Sequence, residues 1–189
     1  MLFPRQIVEG LMMKEGKSCM QIRRIKIDDL KERVKWMNHP KVYSTMHFSV
    51  PVIIENTINW YNKNKDNKSR SDVVFTENGN IIAFGGLTSI DEATGMAELY
   101  IFVNPYSQNR GFGTIATSML CEWGFNKLGL RKIYLYTNEE NEPAIKVYQK
   151  CGFVLEGRHR KEYINEKGEL KDRLYMGLMK NELNAQDTP

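Results

Sequence analysis

Gln108-Asn109-Arg110-Gly111-Phe112-Gly113-Thr114 lies after a strand-like run and before a helix-like one, and its reading sets the reading of the whole chain. Two glycines let a backbone approach a ligand without interference from Cβ atoms. A helix starting there turns its unsatisfied N–H groups, and the positive end of its dipole, on whatever the loop holds. That arrangement cradles a pyrophosphate. The bland reading is a tight turn, but the strand before and the helix after favour phosphate. It is not a Walker A loop, because no Gly-Lys-Ser/Thr follows, and no second βαβ unit supports a dinucleotide fold.

A second segment downstream is Asn141-Glu142-Pro143-Ala144-Ile145-Lys146-Val147-Tyr148-Gln149-Lys150-Cys151-Gly152-Phe153. Asn141 is a good N-cap, and proline is tolerated in a first helical turn. Ala144 and Tyr148 are four residues apart and share a face. Gly152 is a natural left-handed stop. Taken alone, the segment is a capped helix with a glycine end.

Outward from these two segments the chain alternates in a consistent way. Gln21–Ile27 reads as a first strand, and Asp28-Asp29 offers an N-cap to a helix over Leu30–Asn38. His39-Pro40 ends that helix, a loop follows, and Ile54–Asn64 is a second helix. Asp72–Thr76 and Ile81–Ile90 flank Glu77-Asn78-Gly79-Asn80, whose Asn-Gly pair favours a hairpin. Asp91–Gly95 turns into the strand Met96–Val103. A helix from about Thr114 to Leu128 carries Ile115, Met119 and Trp123 four apart. Lys132–Thr137 is a strand, Glu142–Cys151 a helix, and Phe153–Ile164 and Leu170–Leu178 form a last hairpin around Asn165–Gly168. Asn181–Pro189 reads as a frayed polar tail. The order β-α-α-β-β-β-α-β-α-β-β predicts one α/β (α+β) domain over 20–180. Its sheet is mixed, mostly antiparallel and of about seven strands, with helices on both faces.

The bulk properties bound the function. The 189 residues suit one domain. A hydrophobic fraction of 41% and a charged fraction of 26% belong to an ordinary globular chain. The formal charge of +4 is mild, and no Lys/Arg run suggests a nucleic-acid arm. Cys19, Cys121 and Cys151 are odd in number and show no C-x-x-C pair, so reduced thiols are expected rather than a disulfide or zinc framework. No apolar stretch approaches the roughly 18–20 residues of a membrane span. The first twenty residues lack an uninterrupted apolar signal core, so no membrane association and a cytoplasmic location are expected. Lys14-Glu15-Gly16-Lys17 is what a purine-rich ribosome-binding stretch would read as if translated. Residues 1–19 are therefore either an extension upstream of a native start at Met20 or a genuine short leader.

Together the two quoted segments resemble the GNAT superfamily of N-acetyltransferases. Gln108-x-x-Gly111-x-Gly113 is similar to that family's acyl-CoA pyrophosphate loop. Asn141-x-x-Ala144-x-x-x-Tyr148-x-x-x-Gly152-Phe153 is similar to its downstream helix, with one helix and one strand between the two. The resemblance covers about Met20 to Lys180. It implies acetyl-CoA as cosubstrate, bound by Gln108, Asn109, Arg110, Gly111, Phe112, Gly113, Thr114, Asn141 and Ala144. Backbone N–H groups near Phe102 and Val103 would touch the acetyl carbonyl and the pantetheine arm.

The resemblance further implies direct attack of an amine on the thioester. A free alkylamine of pKa about 10 is mostly protonated at neutral pH, so a base or water relay must take its proton. Tyr148 stands where family members donate a proton to the leaving thiolate; otherwise it is a packed aromatic. Glu98, with Tyr100 and Phe102 on one side of its strand, is the candidate base, with a solvated strand carboxylate and an amine-binding anion as its other readings. His39 and His159 are weak candidates, and His47 is one loop histidine that could meet substrate. No histidine spacing asks for a metal, and no G-x-S-x-G suggests a serine hydrolase. Arg158, His159, Arg160 and Lys161 could bind an anionic acceptor or the CoA phosphate, or simply guard a strand edge.

The acceptor is read from less. Trp36-Met37-Asn38-His39-Pro40, with Met46 and Trp60, is similar to amino-sugar acetyltransferases. The ending from Gly152 to Arg158, with the later hairpin carrying Lys171-Asp172-Arg173, resembles ribosomal-protein acetyltransferases and is shared by spermidine and amino-sugar-nucleotide acetyltransferases. A polyamine asks for an acidic pocket, and Lys41–Trp60 holds only Glu55 as an acid. An amino-sugar nucleotide or other small amine is therefore placed first, a protein N-terminus second and a polyamine third. A non-catalytic acyl-CoA-binding module is the alternative class. The long last hairpin offers a surface for a homodimer.

Overall fold

The computed structural model describes residues 20–46, 49–107, 110–165 and 167–183. Among them, seven strands form one sheet: β1 (Met20–Arg24), β2 (Ser71–Glu77), β3 (Asn80–Asp91), β4 (Met96–Val103), β5 (Lys132–Asn138), β6 (Val154–Ile164) and β7 (Leu170–Met179). Their order across the sheet is β1-β2-β3-β4-β5-β7-β6. Five α-helices accompany them: α1 (Leu30–Met37), α2 (Pro40–Tyr43), α3 (Ile54–Asn64), α4 (Phe112–Lys127) and α5 (Glu142–Lys150). This is the mixed, mostly antiparallel α/β sheet that the sequence predicts. β4–β5 is its one parallel pair, and the helix α4 makes the crossover that a parallel connection needs.

The sheet has a core on each face. On one, α4 and α5 bury Phe112, Leu120, Phe125 and Tyr148 against Val73, Leu87 and Leu135. On the other, Trp36 of α1 and Val42 of α2 pack on Val74, Phe84 and Phe102. The second core lies over β2, β3 and β4. Arg33 of α1 is buried there, its guanidinium 5.0 Å from the Trp60 ring and 5.2 Å from that of Phe102. No described helix is long and apolar enough to cross a membrane.

The structure corrects several local expectations. Asp29 does not cap α1 with its side chain. Its carboxylate accepts from the Lys26 N–H at 2.7 Å and both Arg23 Nη groups at 2.7 Å, closing a 3-10 turn over Ile27–Asp29 instead. His39-Pro40 ends α1 as predicted, but the supposed loop opens with α2, because His39 Nδ1 accepts from the Lys41 N–H and Pro40 suits a first turn. Helix α4 starts at Phe112 rather than Thr114, since Gly111 at φ +79° makes the break by itself. The buried side of α4 runs through Ala116, Leu120 and Cys121, leaving Ile115, at 44% exposure, on its edge. The polar tail begins with a 3-10 turn over Lys180–Glu182, whose Glu182 carboxylate accepts from the Met179 N–H at 2.7 Å. The readings on residues 1–19 and 184–189, and on Cys19 and His47, fall outside the described residues.

Gly152 is the predicted left-handed stop of α5, at φ +94°. A Cβ there would meet the Glu182 carbonyl oxygen at 2.9 Å and the Leu178 Cδ1 at 3.2 Å. Gly152→Ala therefore combines backbone strain with a clash against main chain. It should cost about 2–3 kcal/mol and lower the melting temperature by roughly 5–10 °C. Thermal unfolding followed by circular dichroism checks this, and an unchanged midpoint would refute it.

Candidate active site

The parallel pairing of β4 with β5 runs only from Met96↔Lys132 to Glu98↔Tyr134. Beyond it, β4 stays held by β3 as far as Val103, and β5 stays held by β7 as far as Asn138. The two strands thus diverge while each remains anchored on its outer side. Between them opens a cleft of about 740 Å³. An edge of backbone N–H and C=O groups without a strand partner faces into it, which is where a ligand can satisfy them. Phe102 and Val103, the residues expected to touch the acetyl and pantetheine groups, both line this cleft.

On the α4–α5 side lies the described part of the loop expected to hold phosphate, from Arg110 onward. Gly111 is the left-handed N-cap of α4, and no heavy atom lies within 4 Å of where its Cβ would be. The first α4 bond is donated by the Ile115 N–H to the Gly111 carbonyl at 3.3 Å. The N–H groups of Phe112, Gly113 and Thr114 accordingly stay available to an anion. A Cβ on Gly113 would meet Val147 at 3.6 Å and Val103 at 3.8 Å, ordinary contacts with α5 and β4. Arg110 lays its guanidinium 5.1 Å over the Phe112 ring. Asn141 accepts from the Ala144 N–H at 3.4 Å as the N-cap of α5, and both line the cleft with Thr114. Gln108 and Asn109 fall outside the described residues. The buried Thr117 Oγ1, also in the cleft wall, has no hydrogen-bond partner among the described residues. An open glycine turn, free helix N–H groups and an orphan hydroxyl along one wall fit the diphosphate and amide-bearing arm of acetyl-CoA.

The two candidate catalytic residues line the same cleft. Tyr148 is 9% exposed, and its ring packs on Phe153 at 5.8 Å. Burial, assisted by the nearby thiols of Cys151 and Cys121, pushes its phenol up to about 12, so it keeps its proton at any physiological pH. Both of these cysteines are buried and unpaired with one another. Glu98 is half-buried, and loss of solvation raises its carboxyl above the ordinary carboxylate value while Arg173 partly offsets the rise.

The predicted alternation of Glu98, Tyr100 and Phe102 holds, but their tasks differ. The Tyr100 hydroxyl donates to Asp72 Oδ1 at 2.5 Å, and burial drives its phenol well up. Phe102 stacks on Phe84 at 5.6 Å. These two form the floor of the cleft and are tied into the core beneath α1. Tyr136 and Lys41 also line the cleft and were not singled out from the sequence, while Met46 and Arg173, quoted there only for a resemblance, line it too. Tyr136 and Arg173 meet across the β5–β7 pairing, and nothing local in the sequence announces that partnership. Two members of the basic cluster are engaged elsewhere: Arg158 bonds Glu139 at 2.7 Å and Asp172 at 3.0 Å, and His159 contacts Glu162 at 3.2 Å. His39 serves as a helix cap. Among the described residues no group of three or more His, Cys, Asp or Glu could hold a metal ion.

Comparison with known proteins agrees with this geometry. Residues 20–154 match the model of the Acetyltransferase (GNAT) domain. A spermidine N(1)-acetyltransferase of Vibrio cholerae is 35% identical over 118 residues, 61% of this chain and 68% of the relative. That of Escherichia coli K12 is 29% identical over 126 residues, 67% of each chain. The crystal structure of spermidine N-acetyltransferase from Vibrio cholerae in complex with CoA and spermine superposes with a TM-score of 0.81 at 26% identity, covering 86% of this chain and 96% of that one. A split β4–β5 pair, a glycine-capped α4 at the cleft mouth and the match over most of the chain lead to one conclusion: this protein belongs to the GNAT family and is an acetyl-CoA-dependent N-acetyltransferase.

Proposed function

We propose that the chain passes the acetyl group to the primary amine of a small molecule by direct attack inside the β4–β5 cleft, and that the acceptor is an amino sugar carried on a nucleotide. The observation that carries the reaction is the placement of Glu98 and Tyr148 in the walls of one cleft, one poised to take a proton and one to give it. Acetyl-CoA supplies the electrophilic thioester carbon. Glu98 accepts the proton that the amine sheds as its C–N bond forms, either directly or through water. Backbone N–H groups on the open edge of β4 near Phe102 and Val103 steady the carbonyl oxygen as charge builds on it. Tyr148 donates to the sulfur as the C–S bond breaks, so CoA departs as thiol.

For the acceptor, the charges of the cleft support the nucleotide-bearing amine. Glu98 is the one carboxylate among the described lining residues, against Lys41 and Arg173. A polyamine with two or three ammonium groups asks for more acids than that. Spermidine is the second reading, because the relatives from Vibrio cholerae and Escherichia coli bear that name. A protein N-terminus stands behind both. Offering acetyl-CoA with a UDP-amino sugar, spermidine and an N-terminal peptide in competition, then weighing the products by mass spectrometry, tests the reading. Acetylated sugar nucleotide supports it; acetylated spermidine alone would overturn the acceptor and leave the reaction intact.

Three variants probe the roles. Tyr148→Phe should lower kcat by about 10²-fold while acetyl-CoA affinity by calorimetry stays near wild type; unchanged turnover would return Tyr148 to a packing role and reopen the non-catalytic module. Glu98 must be ionised to act, and its carboxyl lies above the ordinary value. Activity should therefore fall as pH drops through that raised value, at higher pH than an ordinary carboxylate would give, and Glu98→Gln should flatten this acidic limb as well as slow turnover. Gly111→Val puts a branched side chain on a φ of +79°. It should raise the acetyl-CoA KM by about tenfold or more while changing the acceptor KM little.

A further inference from the structure

Beside the cleft, on the face of the sheet that carries Glu98, lies a group of rings the reaction does not use. Tyr136 of β5 stands opposite Tyr175 of β7, their centroids 5.2 Å apart. Tyr134 packs on Tyr175 at 5.5 Å, and His159 of β6 packs on Tyr136 at 5.4 Å. The core under α1 and α2 covers β2, β3 and β4 on this face, and these rings remain partly exposed. Arg173, two residues before Tyr175 and so on the same side of β7, lays its guanidinium 4.9 Å over the Tyr136 ring. Tyr136 and Arg173 both form part of the cleft wall with Glu98.

The ion pairs around this face single out Arg173. Lys132 is held by Glu156 at 2.6 Å, and Arg158 by Glu139 and Asp172. His159 has Glu162. Arg173 has no ion-pair or hydrogen-bond partner among the described residues. Its Nε is buried and unpartnered, and it acts on Glu98 only through space. A buried donor without an acceptor is costly in a folded protein. A guanidinium fork is the group best shaped for a two-point bond to an oxyanion. The ring faces, for their part, already hold cations: Arg173 sits on Tyr136, and Lys132 lies 5.8 Å from the Tyr175 centroid. A polyammonium chain laid here would meet like charge where it needs bare rings.

We propose that Arg173 determines acceptor specificity by binding an oxyanion, phosphate or carboxylate, on the acceptor, whose body lies against Tyr136 while its amine reaches Glu98. This rests on the reading of the Glu98 cleft as the acceptor site. It adds a residue and a chemical demand: the acceptor carries an anion on the side away from its amine.

The test uses the full chain saturated with CoA, so that the CoA phosphates cannot compete for the probe. Uridine diphosphate and glycine are titrated separately, and binding is followed by ligand-observed NMR. With Arg173→Met, affinity for the oxyanion probe should fall roughly tenfold or more, the equivalent of about 1.4 kcal/mol. Arg173→Lys should keep part of it, and CoA affinity and melting temperature should not move. Loss confined to uridine diphosphate assigns a phosphate, and loss confined to glycine a carboxylate. Failure of both probes to bind wild type, equal binding by Arg173→Met, or a parallel loss of CoA affinity would each overturn the proposal. The acceptor reading fails separately. If uridine diphosphate binding depends on Arg173 and the UDP-amino sugar is not acetylated, the subsite stands and that acceptor falls. If the UDP-amino sugar is acetylated with the same KM by Arg173→Met, the acceptor stands and the subsite falls.

Discussion

The early end of the parallel pairing between β4 and β5 is the constraint on which the rest of the structure depends. Past Glu98↔Tyr134 each strand keeps its outer neighbour and loses its inner one. Backbone groups in a protein interior demand partners, so such a split persists where a ligand supplies them. The acyl-CoA arm has amides and carbonyls along its length and can serve as the missing strand. One geometric fault thereby makes the cleft and leaves Glu98, Phe102 and Val103 lining it.

The two helices on the cofactor side make the split usable. Gly111, in a conformation that L side chains avoid, starts α4 at the cleft mouth and presents its first N–H groups outward. Asn141 and Pro143 start α5 so that Tyr148, on its buried side, reaches the same cavity. Burial serves the chemistry in opposite senses. It keeps the Tyr148 phenol protonated, as a donor would need, and it raises the Glu98 carboxyl above the ordinary carboxylate value, the direction that suits a base. The opposite face does structural work: Arg33 among its rings, and Tyr100 bonded to Asp72, hold the cleft floor rigid.

Much of this was legible in the chain because it is local. Gly111 and Gly113 between a strand and a helix, Asn141 before proline, and Tyr148 with Gly152 four residues on are spacings whose backbone meaning does not depend on distant residues. The strands, the Asn78-Gly79 hairpin and the helix ends followed for the same reason, with errors where a side chain had two local uses. Asp29 closed a 3-10 turn around Arg23 rather than capping α1, and His39 ended one helix while capping the next. Which side of α4 faces the core was harder to see, because that helix is apolar nearly all round.

What the sequence determined by itself was the family's two motifs and the order of elements, and hence which loop and which tyrosine are the candidates for cofactor binding and proton donation. Only the tertiary structure decided where β4 and β5 part, that Tyr100 and Phe102 belong to the floor, and that Tyr136 and Arg173 join Glu98 in the wall. The reason is physical. A motif is written in neighbours along the chain, whereas the acceptor's surroundings come from strands paired across long separations. Arg173 meets Tyr136 through a register that no local pattern encodes.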